Sequence, residues 1–207
     1  MEKPGRFIVF EGIDGSGKTT QIAYLMKKLQ KLGVKCLETC EPTGLAAGRL
    51  LRSALTKKIK LDNRAIAALF VADRVDHITN EENGLLKTLE SGCSVVCDRY
   101  CFSSYAYNSV DTDMDWVINA NSVCTKLLVP DCTVFLDVDP DTALIRIAQG
   151  REAAELFETK ERLTLVRENY FKAFGIAGEG QRIEFFDGTL PPEQLADKIW
   201  TGISDLF

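Results

Sequence analysis

The chain has 207 residues, of which 45% are hydrophobic and 27% charged, and carries a formal net charge of −5. This is the length and composition of one ordinary domain with a continuous core, and the acidic balance excludes a general affinity for a nucleic-acid backbone, which requires a basic surplus. No stretch reaches the ~20 consecutive apolar residues of a membrane span, so the expectation is no nucleic-acid partner and no membrane partner.

Residues 1–5 lack the apolar run of a signal peptide and lead straight into residues 6–11 (RFIVFE), rich in β-branched and aromatic side chains. That run reads as a buried strand ending at Gly12. From Lys18 the period changes: Ile22, Leu25, Met26, Leu29 and Leu32 recur at spacings of three and four, an amphipathic helix that stops at Gly33. Residues 34–40 form a second strand. A long helical region spans roughly 62–90 with a break at 80–84, and carries the only histidine, His77, as a surface or helix-packing residue. Residues 57–60 (KKIK) read as a solvated loop.

Residues 94–98 (SVVCD), 133–138 (TVFLDV) and 182–186 (RIEFF) are the remaining strands, and a helix with Leu195, Ile199 and Ile203 on one face closes the chain. Strands alternating with helices imply crossover connections. The expected fold is α/β: a five-stranded parallel sheet flanked by helices in three layers. No internal repeat and no linker interrupts residues 1–207, so a single domain is expected. Seven cysteines without a CxxC pair read as reduced thiols in a cytoplasmic protein. Cys93, Cys97 and Cys101 sit four apart, but SGCSVVCDRYCF reads as a strand leaving into a loop, which would not gather them on one face.

Residues 12–19 (GIDGSGKT) fit G-x-x-x-x-G-K-[ST] without a mismatch. Glycines here let successive backbone N–H groups turn inward around an anion, and the following helix adds the partial positive charge of its N-terminus. Gly12, Ile13, Asp14, Gly15, Ser16, Gly17, Lys18, Thr19 and the next residue, Thr20, are therefore the candidate donor-nucleotide site. Lys18 would meet the β- and γ-phosphates of ATP, and the Thr19 hydroxyl would ligate Mg²⁺. The loop is shared by kinases, GTPases and motor or assembly ATPases. No NKxD tetrad for guanine is present. Asp98-Arg99-Tyr100 follows the third strand, where a carboxylate can hold Mg²⁺ and an arginine a second phosphate group.

At this point the sequence resembles the thymidylate kinase family of P-loop nucleoside monophosphate kinases over nearly its whole length. The resemblance rests on FEGIDGSGKTTQ (10–21), EPTG (41–44), LFVADR (69–74), CDRYCFSSYAY (97–107), DCTVFLDVDPDTALIRI (131–147), LFETKERLTLVRENY (156–170) and FFDGT (185–189), in that order and spacing. It implies ATP- and Mg²⁺-dependent phosphorylation of dTMP to dTDP, a step toward dTTP, by a homodimer paired through helices. It also implies roles. Lys18, Asp14 and Arg99 would be catalytic, with Asp14 near the transferring phosphate and the sugar, and Asp98 and Thr19 would serve the metal. Glu41 would lie near Mg²⁺ and the substrate phosphate. Phe70 would stack on thymine and Arg74 would hydrogen-bond its edge. Tyr107 would sit under the deoxyribose, with Ser103 or Asn108 adding a base or sugar contact, and Arg146 would pack on adenine beside residues 187–189.

The expected lid is the segment from about 146 to 159. Many members carry an arginine there, shortly before the position of Glu158, or else inside the phosphate loop; here neither is found, and Arg151 is the candidate lid cation. Cys40 also replaces the arginine that many relatives have before Glu-Pro. The alternatives at this stage are a kinase for another nucleoside or nucleotide, and a nucleotide-dependent switch without turnover.

Overall fold

Strand β1 (Phe7–Glu11) is buried along its whole length. Phe7 and Val9 belong to one core cluster, and Ile8 and Phe10 to another. Successive side chains of a strand point to opposite faces, so this split makes β1 the divider between two apolar layers. The computed structural model that shows this describes residues 4–150 and 159–207.

After β1 come α1 (Lys18–Lys31), β2 (Cys36–Cys40), α2 (Ala46–Leu55), α3 (Asn63–Thr79), α4 (Leu85–Glu90), β3 (Ser94–Asp98), α5 (Cys101–Asn108) and α6 (Met114–Leu127). The chain continues through β4 (Cys132–Asp137), α7 (Pro140–Gly150), α8 (Lys160–Ala177), β5 (Ile183–Asp187) and α9 (Pro192–Ile203), and a 3-10 turn follows. The five strands form one sheet in the order β2-β3-β1-β4-β5. Every pairing is parallel, and Phe10 lies opposite Asp98. Helices α1 and α9 cover one face, through Ile22, Leu25, Leu29, Leu195, Ile199 and Ile203. Helices α3 to α8 supply the cluster on the other. The α/β architecture with five parallel strands is as expected.

The break within residues 62–90 is a turn in which Asn80 Oδ1 accepts from the N–H groups of Glu82 (3.1 Å) and Asn83 (3.4 Å). Asp62 caps α3 by accepting from the Arg64 N–H at 2.9 Å. One expectation needs correcting: the stretch after β3 does not continue as a loop but enters α5 at Cys101. Its N-cap, Tyr100, offers no side-chain cap, so no local signal announces the helix. Among the described residues no helix is long and apolar enough to cross a membrane. Residues 151–158, most of the expected lid and including Arg151, lie outside the described residues.

Candidate active site

Because the sheet is parallel, the loops leaving β1, β2 and β3 emerge at the same end, beside one another. That edge is where open α/β sheets bind ligands. The loop after β1 turns at Gly12 (φ 146°) and Gly15 (φ 79°). A Cβ at Gly12 would stand 2.7 Å from the Leu136 carbonyl oxygen, and one at Gly15 would stand 2.4 Å from that of Ala143. Only glycine permits both the conformation and the close approach. Helix α1 starts without a side-chain cap, which leaves its first N–H groups directed at the loop.

Lys18 is buried, and its Nζ donates to the carbonyls of Gly12 (3.0 Å) and Ile13 (3.2 Å). Burial, with the neighbouring Arg99 charge, pushes its pKa down to about 8 against the opposing pull of Asp98, Asp14 and Glu11. An arriving phosphate would restore its charge, because an anion favours the protonated amine. Thr19 and Thr20 are exposed at the head of α1. Ser16 Oγ and Asp98 Oδ1 are buried and have no hydrogen-bond partner among the described residues. An unpaired carboxylate oxygen at the end of β3 and an unpaired hydroxyl in the phosphate loop are donors suited to a hard divalent cation that keeps phosphate and water oxygens as its other ligands.

Opposite the phosphate loop stands Arg99, at a left-handed φ of 73°. A residue with a Cβ adopts this at a cost of roughly 1 kcal/mol or more unless its surroundings enforce it. The surroundings do so. Arg99 N–H donates to Phe10 O (2.9 Å), Nη2 to Asp14 Oδ1 (2.7 Å) and to the Tyr107 hydroxyl (3.3 Å), and Nη1 to Ser103 Oγ (3.1 Å). The guanidinium also lies 4.7 Å from the Tyr107 ring centroid. Tyr107 closes the ring by accepting from the Asp14 N–H at 2.8 Å. Asp14, Arg99 and Tyr107, from two separate segments, thus meet at the rim of the loop.

Comparison with known proteins decides the family. The sequence model of one family, thymidylate kinase, matches residues 10–199. A thymidylate kinase of Leptospira borgpetersenii is 35% identical over 96% of this chain and 92% of its own length. One from Solidesulfovibrio magneticus is 35% identical over 97% of this chain and all of its own, and one from Thermomicrobium roseum is 34% identical over 97% and 95%. The chain belongs to the thymidylate kinase family. Membership in it implies a nucleotide substrate and a metal ion.

For a thymidylate kinase family member, the second region of interest is the end of β2 and the inner face of α3. Phe70, on α3, is partly exposed and belongs to neither core cluster. Arg74, one helical turn on, lies deeper. It is 1% exposed, and its guanidinium makes four hydrogen bonds as well as an ion pair with Glu41. Nε and Nη2 hold Glu41 Oε2 at 2.7 Å, Nη1 donates to Ser104 Oγ (3.1 Å) and to Asn121 Oδ1, and Nη2 donates to Tyr100 O (3.0 Å). Glu41 is likewise buried, and His77 Nδ1 engages its other oxygen at 3.0 Å. His77 in turn meets Thr39 Oγ1 at 2.9 Å, so it is an interior residue and not a surface one. The physical reason is charge compensation: a guanidinium removed from water needs a carboxylate and a full set of acceptors.

Ser103 is held by protein groups as well. Its hydroxyl donates to Glu11 Oε2 at 2.5 Å and accepts from Arg99, so it supports the arginine. Asn108 is partly exposed and its Nδ2 has no partner among the described residues. On the far side of the phosphate loop, Arg146 Nη1 donates to Gly188 O at 2.8 Å, joining α7 to the 187–189 turn. The sequence reading passed over Glu11, Tyr170, Asn121 and the Arg167–Asp137 pair, whose two hydrogen bonds of 2.7 and 2.8 Å fix α8 to the end of β4. Only Glu11 left a trace in the sequence, as a carboxylate closing an apolar run directly before the loop.

Proposed function

We propose that this protein transfers the γ-phosphoryl group of ATP to dTMP, releasing ADP and dTDP, with Mg²⁺ as the metal. The observation that carries the reading is the meeting of Arg99 with Asp14 and Tyr107 at the rim of the phosphate loop, which sets a cation for a second phosphate beside the cradle for the first. Phosphoryl transfer asks for in-line positioning and charge neutralisation more than for covalent chemistry.

In this reading the N–H groups of residues 12–19 and Lys18 bind the donor phosphates, and Arg99 orients the acceptor phosphate toward them. Asp14 holds Arg99 and faces the transferring group. Thr19 and Asp98 hold Mg²⁺, which when bound neutralises charge on the donor phosphate oxygens. Phe70 offers its face to thymine, Tyr107 packs against the deoxyribose where its ring excludes a 2′-hydroxyl, and Asn108 adds a polar contact. A base carbonyl reaches Arg74 by replacing Ser104 as acceptor from Nη1. Arg146 and the 187–189 turn flank adenine. Arg151 in the 146–159 lid supplies transition-state charge, and closure of the lid keeps water from the γ-phosphate.

We extend the reading to a cytoplasmic homodimer formed by a single-domain chain. All seven cysteines are free thiols, in keeping with a reducing compartment. Leu50 and Leu55 on α2 and Val123 and Leu127 on α6 are exposed apolar side chains on helices that flank α3, as a face shared by two copies would be. ADP release measured across a panel of monophosphates tests the assignment. Strong stimulation by dTMP and weak stimulation by UMP and dCMP are expected, and equal rates with all three would remove the thymidylate assignment.

A further inference from the structure

Glu11 is completely buried, one residue ahead of the phosphate loop, and the transfer outlined above makes no use of it. Its carboxylate gathers four donors from two distant elements. Oε1 accepts from the backbone N–H groups of Tyr100 (2.9 Å) and Ser103 (3.1 Å), and Oε2 accepts from the hydroxyls of Ser103 (2.5 Å) and Tyr170 (2.9 Å). The first two are the orphan donors at the start of α5, a helix with no side-chain cap of its own. A carboxylate on β1 therefore caps a helix some ninety residues further along the chain, where N-caps are ordinarily local.

The contacts lead on from there to the reacting groups. Ser103 Oγ, fixed by Glu11, accepts from Arg99 Nη1. The Tyr170 hydroxyl, also fixed by Glu11, approaches Ser103 Oγ at 2.8 Å and Gly12 O at 3.4 Å. Helix α5 itself carries Tyr107, which meets both Asp14 and Arg99. Glu11 thus contacts the first residue of the donor loop through Tyr170, and the acceptor arginine through Ser103. Burial raises its pKa, while Ser103, Arg99, Tyr170 and the Tyr100 N–H act in the opposite direction.

We propose that Glu11 is a positioning residue which, by capping α5 from β1, sets the separation between Arg99 and the phosphate loop at which acceptor and donor phosphates align. The inference rests on the kinase reading given above. It predicts a loss in the transfer step that exceeds any loss in donor binding, because Lys18 bonds within the loop itself and, among the described residues, only the Asp14 N–H is tied to α5, through Tyr107. Glu11→Gln keeps the shape and one oxygen for the backbone donors, but its amide cannot accept from the Ser103 and Tyr170 hydroxyls, so Ser103 Oγ must turn to serve the amide as well as Arg99 Nη1 and the arginine loses its fixed support.

The test is steady-state kinetics of the whole chain with dTMP and ATP for wild type, Glu11→Gln and Tyr170→Phe, with thermal unfolding of each. Glu11→Gln is expected to lower kcat at least about tenfold while KM for ATP stays within about threefold. Tyr170→Phe is expected to lower kcat by a smaller factor, about threefold, and to add less than its own factor when combined with Glu11→Gln, since both act on one contact. A wild-type chain without dTMP-dependent ADP release overturns the kinase reading and this inference with it. Active wild type with an unchanged kcat in Glu11→Gln, or with kcat and ATP affinity falling in parallel, overturns the positioning role alone. If Glu11→Gln shows no cooperative unfolding, Tyr170→Phe decides: a lower kcat at constant KM for ATP supports the role and an unchanged kcat defeats it.

Discussion

Arg99 Nη2 and Asp14 Oδ1 lie 2.7 Å apart, joining the exit of β3 to the middle of the phosphate loop. The pair is mostly shielded from solvent, with side-chain exposures of 18% and 29%. Each partner therefore fixes the other in a way that a solvated pair would not. In the proposed reaction the arginine is the cation through which an acceptor phosphate is brought to the donor's loop.

Arg99→Ala should consequently lower kcat/KM for dTMP by about 10²–10³-fold, roughly 3–4 kcal/mol of transition-state stabilisation. Arg99→Lys should restore little, since a point charge cannot bond Asp14, Ser103 and Tyr107 at once. Full activity in the lysine variant would show that only the charge matters.

Lys18→Ala should cut turnover by orders of magnitude, about 10²–10⁴-fold, with the unfolding temperature little changed. The side chain bonds only to loop carbonyls, so its removal costs the fold little. Near-normal rates in a stopped-time assay would remove the phosphate-loop mechanism.

Arg151→Ala should slow transfer more than it weakens dTMP binding, the pattern of a group that acts in the transition state. Comparing kcat with a calorimetric Kd for dTMP separates the two effects. An unchanged kcat excludes Arg151 as the lid cation.

Glu41→Ala should destabilise the protein by about 3–5 kcal/mol, because it strands the Arg74 guanidinium without its counter-ion. For a chain of this size that corresponds to a fall of about 10 °C in Tm. A shift below about 2 °C in calorimetry would mean that Arg74 finds other compensation.

Thiol chemistry gives an independent check on burial. Burial pushes the Cys36, Cys101 and Cys132 thiols up to about 12 and Cys124 up to about 11. A group with a raised pKa stays protonated until the pH climbs to it, so at pH 8 only about one in ten thousand of the first three is thiolate. Iodoacetamide followed by peptide mass spectrometry should mark the exposed Cys40 first. Early labelling of Cys36 or Cys101 would contradict the packing.

Residues 12–19 and the five strands were legible in the sequence because their causes are local. Loop chemistry resides in eight consecutive residues, and an apolar run between turn signals is a strand wherever it packs. Phe70 was legible only through resemblance, since a phenylalanine at helical spacing is core as readily as it is a base platform. Tertiary structure alone supplied Glu41 and Tyr100 O to Arg74 and Glu11 to Ser103, partners that stand 26 to 92 residues away. In isolation each is a polar residue free to meet a ligand; in the fold, the cost of burying a charged or polar group unpaired gives each a protein partner. Helix α5 was missed for the same reason. Its cap is Glu11, and no window along the sequence contains both. The sequence by itself therefore determined which phosphates this protein cradles, while long-range burial and hydrogen bonding decided where the acceptor's arginine stands.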